Sequence, residues 1–382
     1  MNTLPTLLSY LNEKPPAVGV PLIGVFRGHG VGPSLIDSAL QVLEATGGAL
    51  GIPFQIEHGG VIGEDSLDRG GPPLPEEAAA FCAQIFRRGG AILSGPGGGR
   101  YVYDLRRRFD LFCKFVPVRP VPELARAARI VPQHLEGVDL LLVRDNIGGV
   151  YQGTWTERRA ETGRVAAHAF DYREPEVRRL AEVAARAAAG RRGNLHVIVK
   201  DGGIPTISAL WRDVFAAAAR DYGVRAEFIN VDFAVYELIQ HPSRFDVVVA
   251  PNLFGDILAD LAGVLLSSRG VTFSGNFDPR GHAVYQTNHG CARDLAGADV
   301  ANPGGQILSL AMLLRESFGL SSAAALIERS LAEVWSQGWR TADVAEPGSR
   351  ILGTQSIVAR VVEQVLRSPK AQRSDARYVT LG

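Results

Sequence analysis

Short apolar runs, each closed by a turn, recur along this chain and confine it to one class of fold. "GGAILSG", "VDLLLVRD", "LHVIVK" and "FDVVVAPN" are too short for buried helices and too uniformly apolar to have a wet face. Each must be covered on both sides, as strands of a parallel sheet are. Near the start, "PLIGVFRGHGVGPSLIDSALQVLEA" gives a strand, a glycine-rich turn and an amphipathic helix with Pro33 and Ser34 in its first turn. The last run leads into the helix "GDILADLAGVLLSS". Strands alternating with helices predict an α/β fold with a large, mostly parallel or mixed sheet flanked by helices.

Gly148 to about Arg173 breaks the rhythm. It is rich in Gly, Thr and charge, carries the β-formers Val150, Tyr151 and Trp155, and reads as a protruding hairpin arm. The stretch from Gly304 onward reads as helical. Residues 1–20 read as a leader ending in a Pro-rich turn, and the tail after Pro369 as loose. No repeat is visible.

At 382 residues the chain is too long for one small core, so two domains are expected. Forty Lys and Arg balance forty Asp and Glu. That gives no reason to expect nucleic acid or an anionic membrane as partner. Cys82, Cys113 and Cys291 are too few and too separated for a disulfide framework. With no signal sequence in view, a reducing cytoplasm is the expected setting.

Five groups of residues carry candidate chemistry. "GHGVG", Gly28 to Gly32, lies between strand and helix, where glycines let a phosphate approach a helix N-terminus. Its spacing is not GxGxxG, and a simple tight turn explains it as well. Asp256 and Asp260 stand one helical turn apart in "NLFGDILADLAG", and Asp232 follows the strand "FINVD". Carboxylates so spaced suit Mg²⁺ or Mn²⁺; the alternative is a capping Asp256 and a solvated Asp260. The apolar neighbours Leu253, Phe254, Ile257, Leu258 and Leu261 place Asp260 near a buried surface. Arg106 lies in a basic helical run and Arg144 ends "LLLV", at the sheet edge where anionic ligands bind in such folds; a solvated Arg106 is the plainer reading. Lys200 ends "LHVIVK", where desolvation would fit it for acid–base work, and Tyr151 could donate a proton; a snorkelling Lys and a packed Tyr are the alternatives. In "NHGCARDLAGADVANPGG", a loop presenting His289, Asp294 and Asn302 could read an adenosine.

Taken together and in this order, these fragments resemble the β-decarboxylating isocitrate, homoisocitrate and isopropylmalate dehydrogenases over roughly residues 21–365. "NLFGDILADLAG" followed by "HG-x-A-x-D-x-AG" and "ANP" carries the resemblance; "LRRRFDLF" is similar to the homoisocitrate branch and "GGVYQG" to the isopropylmalate branch. The resemblance implies a two-domain fold without the usual Rossmann fingerprint. A large cofactor-binding domain would take residues 1–111 and 267–382, and a small domain residues 112–266, with the arm at about 148–173. It implies an NAD-type dehydrogenase oxidising and decarboxylating a 3-substituted malate, with Mg²⁺ or Mn²⁺. Asp256 and Asp260 would hold the metal on one subunit of a homodimer, with Asp232 and Lys200 supplied by the other. Arg106 and Arg144 would clamp carboxylates, and Tyr151 and Lys200 would form the acid–base pair. His289, Gly290, Asp294 and Asn302 would bind the adenosine of NAD, Asp294 disfavouring NADP.

The chain departs from that pattern at several positions. A third substrate arginine is replaced by Val116. Arg100 stands where relatives select the substrate's C3 substituent, which predicts an anionic substituent. His29, Gly202, Gln286 and Arg293 are further departures. Two other readings follow: a regulatory or catalytically weak paralogue that binds ligand without turnover, and an isopropylmalate, tartrate or malate dehydrogenase.

Overall fold

The protein, described as a computed structural model, is defined over residues 6–13 and 19–368. The tail expected to be loose after Pro369, and much of the leader expected over 1–20, lie outside those residues. In chain order the strands longer than two residues are β1 Leu22–Phe26, β2 Gln55–His58, β3 Ala91–Ser94, β4 Cys113–Val118, β5 Leu140–Asp145, β6 Thr154–Ala160, β7 Gly163–Ala169, β8 Asn194–Val199, β9 Arg225–Asn230, β10 Val247–Ala250, β11 Phe273–Phe277 and β12 Ala283–Thr287. β6 and β7 pair only with each other and form the expected hairpin arm.

The other ten build one sheet in the order β2-β1-β3-β12-β11-β4-β5-β10-β8-β9. Both flanks are parallel, as the apolar runs predict. The centre is antiparallel: β12 with β11, β11 with β4, and β4 with β5. The helices that matter for the site are α1 Gly32–Leu50, α2 Tyr101–Arg108, α3 Val231–Gln240, α4 Asn252–Leu265 and α5 Gly304–Phe318. α4 begins at Asn252, three residues before Gly255, where the sequence suggested a start.

Side chains alternate across a strand, and here the alternation sorts two cores. Leu141, Val143, Val247 and Val249 enter the main core on one face. Val116, Leu140, Leu142 and Val248 join a second core on the other, covered by Leu258, Ala259, Ala262 and Leu265 of α4. Lys114 and Arg144 belong to this second face by the same alternation, so α4 lies over them.

The glycine turn before α1 is a tight turn with a packing reason. Gly30 has φ +63°, and a Cβ there would meet the carbonyl oxygen of Cys291 at 2.1 Å. The turn is thereby pressed against the loop that carries His289 and Asp294. All three cysteines are buried and free. Among the described residues no helix is long and apolar enough to cross a membrane.

Candidate functional site

β5 delivers Arg144 to the sheet's carboxyl edge, buried to 1 % exposure. Its Nε and Nη2 donate to Asn252 Oδ1 at 3.2 and 2.8 Å, and its Nη1 donates to Asp256 Oδ1. Both acceptors lie in the first turn of α4. Gly255, between them, makes this possible: a Cβ there would stand 2.8 Å from Arg144 Cγ. The Tyr151 hydroxyl donates to the other oxygen of Asp256 at 2.9 Å. The Tyr103 ring packs against that of Tyr151, with centroids 4.9 Å apart.

Arg106 comes in from α2 and is 2 % exposed, so it is not the solvated basic residue its basic run allows. Its guanidinium lies 5.7 Å from the Tyr103 ring centroid, and its Nε is buried with no hydrogen-bond partner. Burial, then the nearby Arg144, pull its pKa down; a guanidinium nevertheless stays charged at neutral pH. Burial alone would push the Asp256 carboxyl up, but Arg144, Lys114, Tyr151 and Arg106 together hold it below the usual range. Burial and the Asp256 charge push the Tyr151 phenol well above its usual value, so it keeps its proton. Chemically, such an arrangement can receive an anion beside a protonated acid.

Sequence reasoning missed the supporting Tyr103 and Asn252 and one cation of this group. Lys114 of β4 is 3 % exposed and lies directly across from Arg144 in the β4–β5 register. Burial, then Arg106 and Arg144, pull its pKa well down, against Asp256 and Asp260. The available signal was a lysine inside an otherwise apolar strand, "CKFVPV". Val116, one alternation further on, is 1 % exposed within the second core.

The remaining candidates stand apart from this floor. Lys200, just past β8, donates from Nζ to Asp232 Oδ1 at 2.7 Å. The expectation of a desolvated lysine fails within one chain: the Lys200 side chain is 39 % exposed and that of Asp232 67 %. Asp260 is also no buried carboxylate; it is 47 % exposed and paired with Arg269 at 3.0 Å. Its neighbour on the helix, Ile257, is itself 50 % exposed, so the apolar surroundings do not bury it. Among the described residues no three His, Cys, Asp or Glu gather as a metal set. Asp256 and Asp260, one turn apart and both reachable from solvent, nonetheless fit a hard cation in kind, as two oxygen donors of an incomplete shell.

The loop after β12 holds the candidate cofactor residues. His289 donates from Nδ1 to the Gly290 carbonyl at 2.9 Å, and burial holds its imidazole below the usual value. Gly290 and Asp294 are exposed. Asn302 caps α5 by accepting from Gly304 N at 2.9 Å and donates to Asp343 at 3.1 Å. Asn288 leaves both polar atoms of its side chain buried without a partner, a cost a bound polar ligand would relieve. That orphan beside His289 fits an adenosine site. Arg293 pairs with Glu64.

Arg100 stands at the N-terminus of α2. Its Nη2 donates to the Tyr151 carbonyl at 3.1 Å and its guanidinium stacks 4.7 Å from the Trp155 ring centroid. It is therefore engaged with the arm, not the bare charge in a pocket that the sequence suggested.

The sequence and the fold are similar to those of known proteins. The family model for isocitrate/isopropylmalate dehydrogenase matches residues 22–361. The 3-isopropylmalate dehydrogenase of Geobacillus kaustophilus is 35 % identical over 90 % of this chain and 95 % of its own. That of Burkholderia thailandensis is 37 % identical over 89 % and 99 %. The crystal structure of isocitrate dehydrogenase from Methylococcus capsulatus superposes with a TM-score of 0.80, at 29 % identity, covering 91 % of this chain and 100 % of its own. The chain belongs to the isocitrate/isopropylmalate dehydrogenase family, whose members are NAD-dependent decarboxylating oxidoreductases.

Proposed function

We propose that the protein oxidises and decarboxylates a 3-substituted malate, with NAD⁺ as hydride acceptor and Mg²⁺ or Mn²⁺ bound by Asp256 and Asp260. The observation that carries this is the floor itself: Arg106 and Arg144 buried beside Asp256 and a protonated Tyr151. Buried cations with unused donors are costly unless an anion meets them, and a malate carboxylate does. Arg106 and Arg144 hold the carboxylates. Lys200 takes the C2 hydroxyl proton, and Tyr151 returns one to C3 after CO₂ leaves. The bound cation would polarise the C2 oxygen, and NAD⁺ would accept the hydride.

Lys200 and Asp232 act on the partner's site in a homodimer. The support is their exposure, together with Phe233, Tyr236 and Ile257, which leave α3 and α4 with exposed apolar residues at 52, 57 and 50 %. The isolated hairpin arm carries Trp155 at 55 % exposure, and a two-stranded ribbon needs a partner surface to hold its shape. The cofactor domain takes 1–111 and 267–382, and the small domain 112–266. His289, Gly290, Asp294 and Asn302 face the adenosine.

Arg100, on the Tyr151 side of the floor, favours a C3 substituent that ends in an anion. A second reading, a branched aliphatic substituent as in isopropylmalate, draws on the aromatic faces of Tyr103 and Trp155 and on the engagement of Arg100 with the arm. NADH absorbance with isopropylmalate, isocitrate, homoisocitrate and a phosphonate analogue, each with Mg²⁺, on the wild type and Arg100→Ala, decides between them. Fastest turnover of isopropylmalate with Arg100→Ala silent selects the aliphatic reading. Binding without NADH from any substrate makes the chain a non-catalytic paralogue and ends the proposal.

A further inference from the structure

We propose that Lys114 is a substrate-binding residue whose ammonium takes a carboxylate that Arg106 and Arg144 do not cover; this rests on the malate-type reading above. Lys114 lies on β4 opposite Arg144 of β5, on the face roofed by α4. Side chains directly opposed on neighbouring strands start about 5 Å apart, so the two cations rise together towards Asp256. Lys114 is 3 % exposed, and its Nζ makes no hydrogen bond or ion pair with any described residue.

Such a residue has no evident structural purpose. The positions around it, Val116 on its own strand and Leu142 across from that, are apolar and packed in the second core. A methionine would fill the same volume without the cost of an unpaired buried charge. The charges nearby make the point sharper: Arg106, Lys114 and Arg144 crowd around Asp256, which Arg144 and Tyr151 already occupy, while the other nearby carboxylate, Asp260, is paired with Arg269. Arg144 also spends two donors on Asn252. An anion entering between α4 and the sheet therefore meets a Lys114 with all its donors free. Val116 offers that anion nothing, and the position that meets it is two residues back on the same face of the strand.

Lys114→Met in the full-length protein tests this. Three measurements are made: calorimetric binding of malate and isocitrate with Mg²⁺, thermal unfolding without ligand, and the KM and kcat of whichever substituted malate the wild type oxidises. The expected result is that binding weakens about a hundredfold. KM rises accordingly while kcat changes little, since uniform binding is what is lost. The midpoint of unfolding without ligand stays equal or rises. The mono-amide analogue of the substrate, lacking one carboxylate, binds both proteins alike. Unchanged binding, or a variant that unfolds markedly earlier or fails to fold, overturns the assignment by giving Lys114 a structural role. Because binding is read separately from turnover, a wild type that binds the dicarboxylates but oxidises none defeats the functional reading and leaves the Lys114 result standing.

Discussion

Arg144 and Lys200 both stand at the carboxyl edge of the same sheet, with β10 between their strands, yet their surroundings differ in kind. Arg144 is 1 % exposed, bonded to Asn252 and Asp256, with Gly255 emptied of a side chain to admit it. Lys200 is 39 % exposed, and its ammonium pairs with Asp232, itself more open still. One chain completes the first arrangement by itself. The second is a half-built contact whose other half, on the reading given above, is another copy. Charges that a chain finishes internally should matter to its folding as well as its chemistry; charges left for an interface should matter to chemistry alone.

The largest effect should come from breaking the finished side. Arg144→Met leaves the buried Asn252 acceptor and the half-buried Asp256 without their shared donor. It should lower stability by about 1–3 kcal/mol and cut kcat/KM by at least about a thousandfold. Calorimetric unfolding and NADH absorbance check this; unchanged stability would show that the buried pair does not hold α4 in place. Lys200→Met should be nearly as damaging to rate, by about 10²–10⁴-fold, but should move stability by no more than about 0.5 kcal/mol. Asp256→Asn should abolish metal-dependent activity. Mixing these last two inactive proteins should restore activity in hybrid dimers, since each supplies what the other lacks. No recovery, with hybrids shown by mass, would place Lys200 in its own chain's site.

A smaller effect concerns the exposed cofactor loop. Asp294 should repel a 2′-phosphate, and Arg293 is held by Glu64, so kcat/KM should favour NAD⁺ over NADP⁺ by about tenfold or more, roughly 1.4 kcal/mol. Asp294→Ser should narrow the gap. Higher kcat/KM with NADP⁺ would remove Asp294 from the ribose.

The smallest effect is in pH. Asp256 is held below the usual carboxylate value by Arg144, Lys114, Tyr151 and Arg106 in spite of its burial. Its contribution to stability is therefore present above the ordinary value of 3.8 and lost as pH falls through the lower folded value. The Lys200 hydrogen bond lowers Asp232 in the same sense, but at an open surface that salt screens. The stability gap between wild type and Asp256→Asn should narrow as pH falls below 3.8 and close beneath the lower folded value, equally in low and high salt. Any corresponding gap for Asp232→Asn should vanish in high salt. If both respond alike to salt, the contrast between the two regions fails.

How far the sequence reaches follows the same division. Strands buried on both faces announce themselves by composition, and the helix of Asp256 and Asp260 by its period, so the flanks of the sheet and α4 are legible. What decides the floor is which strand lies beside which. Lys114 becomes a neighbour of Arg144 only through the antiparallel β4–β5 register, and no local pattern encodes a register between segments joined by a long irregular connection. The setting of Arg100 is hidden for a related reason: its partners, the Tyr151 carbonyl and Trp155, come from the arm some fifty residues on. Asp260 misleads because apolar neighbours on a helix need not all face inward, and Ile257 does not.

The order of strands across the sheet also sets a timetable. β3 and β4 follow one another closely in the chain, ending at Ser94 and starting at Cys113, yet they are held apart by β11 and β12, which span Phe273–Phe277 and Ala283–Thr287. On a ribosome, both flanking strands emerge long before the pair that belongs between them. Until then each presents an open hydrogen-bonding edge, and the two can pair wrongly with each other or with a neighbouring nascent chain. A chain halted after α4 and before β11 would thus carry its catalytic floor on a split sheet. Truncations there should aggregate, where losses at the free edge β2 should be borne far better.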